Sequence, residues 1–577
     1  MSRTPRHRLN RLTPIPEFKH TIPVQLTHHS NFSISTRATT LVLQLRILAF
    51  GLCWAALTAC GTDQSAEQAV TPSGPVIETY QGQIQGLWHD SGDGLQVFKG
   101  IPFARPPVGA LRWQPPQAAR AWGGILQADR FSPACWQNTD YAEFVWSRDA
   151  FAVSEDCLYL NLWTHSAYQA EPAPVMVWFH GGAHTGGKGH ERIFDGAALA
   201  RLGVIVVTIN NRVGSHGLLA HPELSAESSH DSSGNYGLLD KIAALNWVRD
   251  NIAQFGGDPT NVTIFGQSAG SQSVCNLMVS PLSKHLFHKA IGQSASCVMP
   301  SGIDDLNGQE RGARLAQAAG ANNLAALRSL SPEALLDSER TTGWAKQSRL
   351  VVDGWVIPTP PHERFEAGQQ ARIPLLVGVT ANEGHQLFPD QADITDETLE
   401  SALTNVLGQT AATQALALYE PGPAPERYSR IMADLGLTYA ARRWADLQAA
   451  TGQPTYLYFF DHNPPAFRLY DPGNPDLQLP GGPRSPGAYH SSDLAYVFAN
   501  TQLVGHAWQP ADHELARQMS LYWTNFARTG DPNGPGLPPW AAYEADTQAT
   551  QRLNSAPETV GGVRNAELEI FARVLER

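Results

Sequence analysis

From about Val76 to the C-terminus, short apolar runs alternate with segments of helical period. Val175–Phe179, Val204–Ile209, Val262–Phe265 and Leu375–Val379 are near-continuous apolar stretches, the pattern of strands buried on both faces. Between two of them, Leu238–Phe255 sets Leu238, Leu239, Ile242, Leu245, Val248 and Ile252 mostly three and four residues apart, which predicts one helix with an apolar stripe. Such alternation predicts an α/β fold: a mostly parallel central sheet with helices on both faces. Pro464–Gly487 is dense in Pro and Gly and predicts a long loop, of the kind that borders active sites in compact enzymes.

The first 75 residues have a different texture. Arg46 precedes an apolar run, Ile47 to Leu57, that matches a signal-peptide core and is too short to span a bilayer. It ends in Leu57-Thr58-Ala59-Cys60, which resembles the lipobox of bacterial lipoproteins, where the cysteine is acylated and becomes the new N-terminus. The alternative is an apolar helix with an incidental cysteine. Gly61–Pro75 is small and polar, as a tether requires. Gly61 in place of Asp after the cysteine implies, by the same resemblance, the outer rather than the inner membrane. The stretch before Arg46 is longer than an ordinary n-region, which leaves open a start near Val42 or Leu43 with the upstream part untranslated. The expected organisation is an export segment over 1–60, a tether over 61–75 and a folded body over 76–577.

Composition narrows the classes further. The 577 residues carry a net charge of −12 with only 16% charged and 9% aromatic residues; a chain so rich in rings has a core to build and is not disordered. Residues 1–60 hold seven Lys/Arg against Glu17 alone, so the body is more acidic still. That leaves no electrostatic footprint for nucleic acid. No stretch after residue 60 approaches the ~20 apolar residues of a membrane span. Six cysteines are too few for a disulfide scaffold, though one or two bridges fit.

The sharpest local signal is Gly266-Gln267-Ser268-Ala269-Gly270, directly after the strand Val262–Phe265 and opening a helical segment. Glycines on both flanks allow a tight strand-to-helix turn that exposes a serine Oγ, and the helix N-terminus favours developing negative charge. A nucleophilic serine needs donors for a tetrahedral oxyanion. The strand Val175–Phe179 runs into His180-Gly181-Gly182-Ala183, a turn whose bare backbone suits that task.

With these motifs the chain resembles the type-B carboxylesterases, the cholinesterase-like branch of the α/β-hydrolases. The resemblance runs from about Val97 to Trp540 and includes Phe98–Gly109, Ser154–Asn161, Asn235–Asp240, Phe255–Pro259 leading to Ser268, and Asn525–Pro532. It implies an α/β-hydrolase fold and a triad of Ser268, Glu383 in Asn382-Glu383-Gly384, and His490 in Tyr489-His490-Ser491-Ser492-Asp493. It also implies oxyanion donors at the amides of Gly182, Ala183 and Ala269, and a disulfide between Cys135 and Cys157. The implied activity is hydrolysis of a small-molecule carboxylic ester through an acyl-enzyme, without cofactor or metal. The rival is a non-catalytic binding or adhesion protein on the same fold.

Departures from the family pattern bear on the chemistry. Gln267 stands where the family has Glu before the serine; the matching partners of that polar network are Ser294 and Asp493. His184 replaces an aromatic after the oxyanion glycines, and Asn211 a Tyr before Arg212. Cys275 and Cys297 are read as buried free thiols. Asp390, Asp393 and Asp396 lack the Gly and terminal Glu of a Ca²⁺ loop and are read as helix caps. Trp146 lies near the family's choline-binding position, but its spacing to Cys157 is one residue longer than the family's, so the cation–π reading is set aside.

Overall fold

The computed structural model describes residues 74–89, 92–139, 151–299, 305–344, 350–384, 394–419, 421–466, 483–503 and 507–575. Cys60, Trp146, Asp390, Asp393 and most of the tether lie outside the described residues.

Eleven described strands form one sheet: β1 (Leu87–Trp88), β2 (Leu95–Pro102), β3 (Tyr159–His165), β4 (Ala173–Phe179), β5 (Ile205–Ile209), β6 (Gly257–Gln267), β7 (Lys289–Gln293), β8 (Leu375–Thr380), β9 (Thr455–Phe460), β10 (Ala549–Leu553) and β11 (Glu558–Gly561). Their order across the sheet is β11-β10-β9-β8-β7-β6-β4-β5-β3-β2-β1. Strands β4 to β10 pair in parallel, while β1, β2, β3 and β11 run antiparallel at the two edges.

The apolar runs are continuous because the pleat feeds two cores. On one face Val175, Val177, Phe179, Leu375, Val377 and Val379 meet α1 (Tyr236–Asn251) and α3 (Tyr439–Ala449). On the other, Met176, Trp178, Phe265 and Leu376 meet Met519, Trp523 and Phe526 of α4 (Pro510–Thr529). Successive side chains point to opposite faces, so a strand covered twice is apolar along most of its length, with few buried polar positions such as Thr208 and Thr263.

The helix expected over Leu238–Phe255 is α-helical only to Asn251. A 3-10 turn, Ile252–Phe255, follows and stops at Gly256, whose φ of 81° ends it. Asp396 lies in the turn ahead of the helix Leu399–Leu407, but the N-cap position is Thr398, so that acid is not a cap. The described ends of the Pro464–Gly487 segment are irregular chain, closed by a bridge between Pro465 and Arg484.

Candidate active site

Ser268 sits at the junction of β6 and α2 (Ala269–Leu277) with φ 56° and ψ −126°. That conformation is strained for a residue with a side chain; the surroundings impose it. A Cβ on Gly270 would lie 2.0 Å from the Phe179 carbonyl oxygen, and one on Gly266 would lie 2.5 Å from the Gly270 carbonyl carbon. The turn therefore folds tightly against the end of β4. The Ser268 amide donates to the Gln293 carbonyl at the end of β7 (2.8 Å), fixing the serine above the sheet.

The loop after β4 closes on the same point. An added Cβ on Gly181 would stand 3.0 Å from the Gln267 carbonyl oxygen and 3.2 Å from Ser268 Cβ, so the loop passes the elbow at close quarters. Gly182 and Ala183 have φ 101° and 53°, and the Gly182 carbonyl is turned away to accept from Thr185 and Gly186 (2.9 and 3.1 Å). Among the described residues no protein acceptor takes the amide hydrogens of Gly182, Ala183 or Ala269. His180 steadies the loop through Nδ1, 2.8 Å from the Gly181 carbonyl. Burial, then the Lys241 charge, lowers its pKa to about 3, so the ring is neutral. His184 Nε2 meets Gln272 Oε1 of α2 at 2.9 Å.

Glu383 and His490 come together from loops 107 residues apart: His490 Nδ1 lies 2.5 Å from Glu383 Oε2. Glu383 is 2% exposed and His490 7%. The other Glu383 oxygen accepts from the Thr380 amide (2.8 Å). With a carboxylate at Nδ1, that nitrogen carries the proton and Nε2 is left as a base. Nε2 is 3.0 Å from the side-chain amide nitrogen of Gln267, the residue before Ser268.

Two residues that sequence reasoning passed over hold this pair in place. The Asn382 amide donates to the Ala488 carbonyl (2.9 Å), and Asn382 Oδ1 accepts from the Ala488 amide (3.0 Å). Gly487 is bare because a Cβ there would meet Asn382 Oδ1 at 2.4 Å. Asn382 stood inside the quoted Asn-Glu-Gly motif, so its signal was available. The histidine loop has a second anchor in Asp512 of α4, which accepts from both Arg484 guanidinium ends (2.6 and 2.8 Å) and from Tyr496 (2.8 Å).

The polar network around the site is rewired relative to expectation. Asp493 Oδ2 accepts from Tyr458 and Gln293 (2.8 and 2.9 Å), on β9 and β7. Ser294 Oγ and Asp493 Oδ1 have no hydrogen-bond partner, and no direct bond joins Gln267, Ser294 and Asp493 among the described residues. Asn211 turns its amide back to the Arg212 carbonyl (2.9 Å).

Cys135 and Cys157 form the expected disulfide, Cα atoms 4.9 Å apart. Cys275 and Cys297 are not free thiols; they form a second disulfide, Cα atoms 5.7 Å apart. Topology is the reason. α2 follows β6, residue 297 follows β7, and β6 and β7 are neighbours, so two distant cysteines reach the same end of the sheet. Among the described residues no cluster of three His, Cys, Asp or Glu side chains is placed to hold a metal.

The sequence profile described as the carboxylesterase family matches residues 73–571. The chain belongs to the carboxylesterase family. Fumonisin B1 esterase of Sphingopyxis macrogoltabida is 37% identical over 486 residues, covering 81% of this chain and 84% of that protein. Para-nitrobenzyl esterase of Bacillus subtilis (strain 168) is 33% identical over 499 residues, covering 83% and 95%. A solved PNB esterase structure superposes with a TM-score of 0.75 at 31% identity, covering 86% of this chain and 99% of that one. The fold is thus the α/β-hydrolase fold, and this carboxylesterase is a hydrolase of small-molecule carboxylic esters. Nothing in the comparisons supports the non-catalytic reading.

Proposed function

We propose that this carboxylesterase works through an acyl-enzyme formed on Ser268. His490 Nε2 takes the Ser268 proton as Oγ attacks the ester carbonyl, and returns it to the leaving alcohol. Glu383 keeps the imidazole in the Nδ1–H tautomer and balances the imidazolium. The amides of Gly182, Ala183 and Ala269 receive the oxyanion, and the N-terminus of α2 adds a favourable dipole. Water then enters by the same base to release the acid. The observation that carries this reading is the His490–Glu383 contact of 2.5 Å, with the base nitrogen facing the elbow that holds Ser268. Turnover of p-nitrophenyl acetate tests it. Ser268→Ala should lose at least about 10³-fold in kcat; a variant that retains activity overturns the assignment.

Residues 76–577 form the catalytic domain in this reading, held by the 61–75 tether to an acylated Cys60 at a bacterial outer membrane. The support is the Leu57-Thr58-Ala59-Cys60 motif behind its apolar run and two disulfides, whose chemistry belongs to an oxidising, exported setting. Among the described residues no helix is long and apolar enough to cross a membrane, so attachment rests on acyl chains, each buried CH₂ contributing about 0.8 kcal/mol. In a Gram-negative host the wild type should fractionate with membranes and Cys60→Ser should not. Equal fractionation of the two, or a mature protein that keeps residues before Cys60, contradicts the anchor.

A further inference from the structure

We propose that Arg564, at the start of the C-terminal helix, is a positioning residue that fixes the turn carrying Glu383; the inference rests on the Glu383–His490 reading above. Ala381 is the first residue beyond β8 and lies two residues before Glu383. Its amide donates to the Phe460 carbonyl at the end of β9 (2.8 Å), and its carbonyl accepts from Arg564 Nη2 (2.5 Å). The start of the acid turn is therefore pinned from the sheet and from a residue 183 positions away in sequence.

The guanidinium is itself held rigidly. Its Nη1 donates to Asp434 Oδ1, and the Asp434 oxygens also accept from Thr438 Oγ1 (2.6 Å) and the Tyr419 hydroxyl (2.7 Å). Asp434 opens a single π-helical turn, Asp434–Thr438, the kind of irregularity that recurs at functional sites. The guanidinium carbon lies 5.1 Å from the centre of the Phe459 ring. One planar fork thus bridges a carboxylate and a carbonyl in fixed directions, which an ammonium cannot reproduce.

The backbone accepts strain to place this side chain. Arg564 has φ 55°, a left-handed conformation uncommon for a residue of its shape. It is maintained by the helix that follows, Asn565–Leu575, whose Leu568, Ile570 and Phe571 pack into a separate core with Leu399, Leu403 and Tyr419. Gly384 closes the other side of the turn: a Cβ there would sit 2.4 Å from the carbonyl oxygen of Ser429, in the helix Ala424–Ala433 that leads into the π-helical turn. Without Arg564 the Ala381 carbonyl loses its donor, Asp434 its counter-ion, and the acid turn is free to shift. A displacement of about 1 Å at a catalytic group is enough for a loss of about 100-fold.

Steady-state kinetics on p-nitrophenyl acetate, with a thermal melt of every protein, tests this on the wild type, Arg564→Met, Arg564→Lys, Leu403→Ala and Ser268→Ala. Leu403 is fully buried in the same helical core, so Leu403→Ala loosens that core without removing a bond to the acid turn. Both Arg564 variants should lose about 10- to 100-fold in kcat with KM within about threefold. Leu403→Ala should lower the Tm yet keep kcat within about twofold. If Arg564→Met does not fold, Arg564→Lys, which keeps a charge opposite Asp434, carries the comparison. Wild-type kcat in a folded Arg564 variant, or a loss in Leu403→Ala equal to theirs, overturns the proposal. An inactive Ser268→Ala beside fully active Arg564 variants removes Arg564 alone; an active Ser268→Ala removes the triad reading and this proposal with it.

Discussion

The side-chain amide nitrogen of Gln267 lies 3.0 Å from His490 Nε2, the nitrogen that receives the Ser268 proton in the proposed mechanism. With Nδ1 protonated toward Glu383, the amide is the donor and the single lone pair of Nε2 the acceptor, so in the proposed mechanism the amide gives way when Ser268 transfers its proton. A donor there favours neutral imidazole, whereas a carboxylate would favour imidazolium. The other charged groups facing His490 are Glu383 and Asp493. Gln267→Glu should move the acid limb of kcat/KM to higher pH by about one unit. An identical limb, or one at lower pH, contradicts this.

The elbow's glycines differ sharply from glycines at the surface. A Cβ at position 270 runs into the backbone carbonyl of Phe179 at 2.0 Å, whereas one at Gly123 meets nothing within 4 Å. Backbone atoms cannot rotate aside as a side chain can. Gly270→Ala should destabilise by about 3 kcal/mol or more, and Gly123→Ala should stay within about 0.5 kcal/mol. Chemical denaturation of the two variants reads the contrast; similar losses in both would refute it.

Asp493 is completely buried. Burial pushes its carboxyl up to about 6, against the pull of hydrogen bonds from Gln293 and Tyr458; Glu383 raises it further and His490 lowers it. A folded-state value above the unfolded one means that the fold favours the protonated acid. Its stabilising contribution is present at low pH and is lost as pH rises through about 6. Asp493→Asn keeps an acceptor for Tyr458 and Gln293 and does not titrate. Its stability relative to the wild type should therefore improve by about 2 kcal/mol between pH 4.5 and pH 7.5. A difference that does not change with pH would remove the titration argument.

Strand content was legible in the chain because runs such as Val175–Phe179 and Leu375–Val379 are buried on both faces and need apolar residues throughout. Ser268 was legible because a strand-to-helix turn this tight requires glycine at 266 and 270. Glu383 and His490 had no such local signature. A loop acid and a lone histidine become a pair only when Asn382 and Ala488 zip their loops together, and only family resemblance singled them out beforehand. The Cys275–Cys297 bridge depends on β6 and β7 being neighbours, which spacing along the chain does not reveal. Arg564 was invisible for the same reason: its partners, Ala381 and Asp434, lie 183 and 130 residues upstream.

The central claim is that Ser268 forms a covalent bond to the substrate's acyl group, and trapping that bond tests it most directly. The protein is exposed briefly to an organophosphate, its intact mass is measured, and the modified peptide is mapped. One adduct per chain on Ser268, absent from Ser268→Ala, is the expected result. An adduct on another residue, or equal labelling of Ser268→Ala, would contradict it.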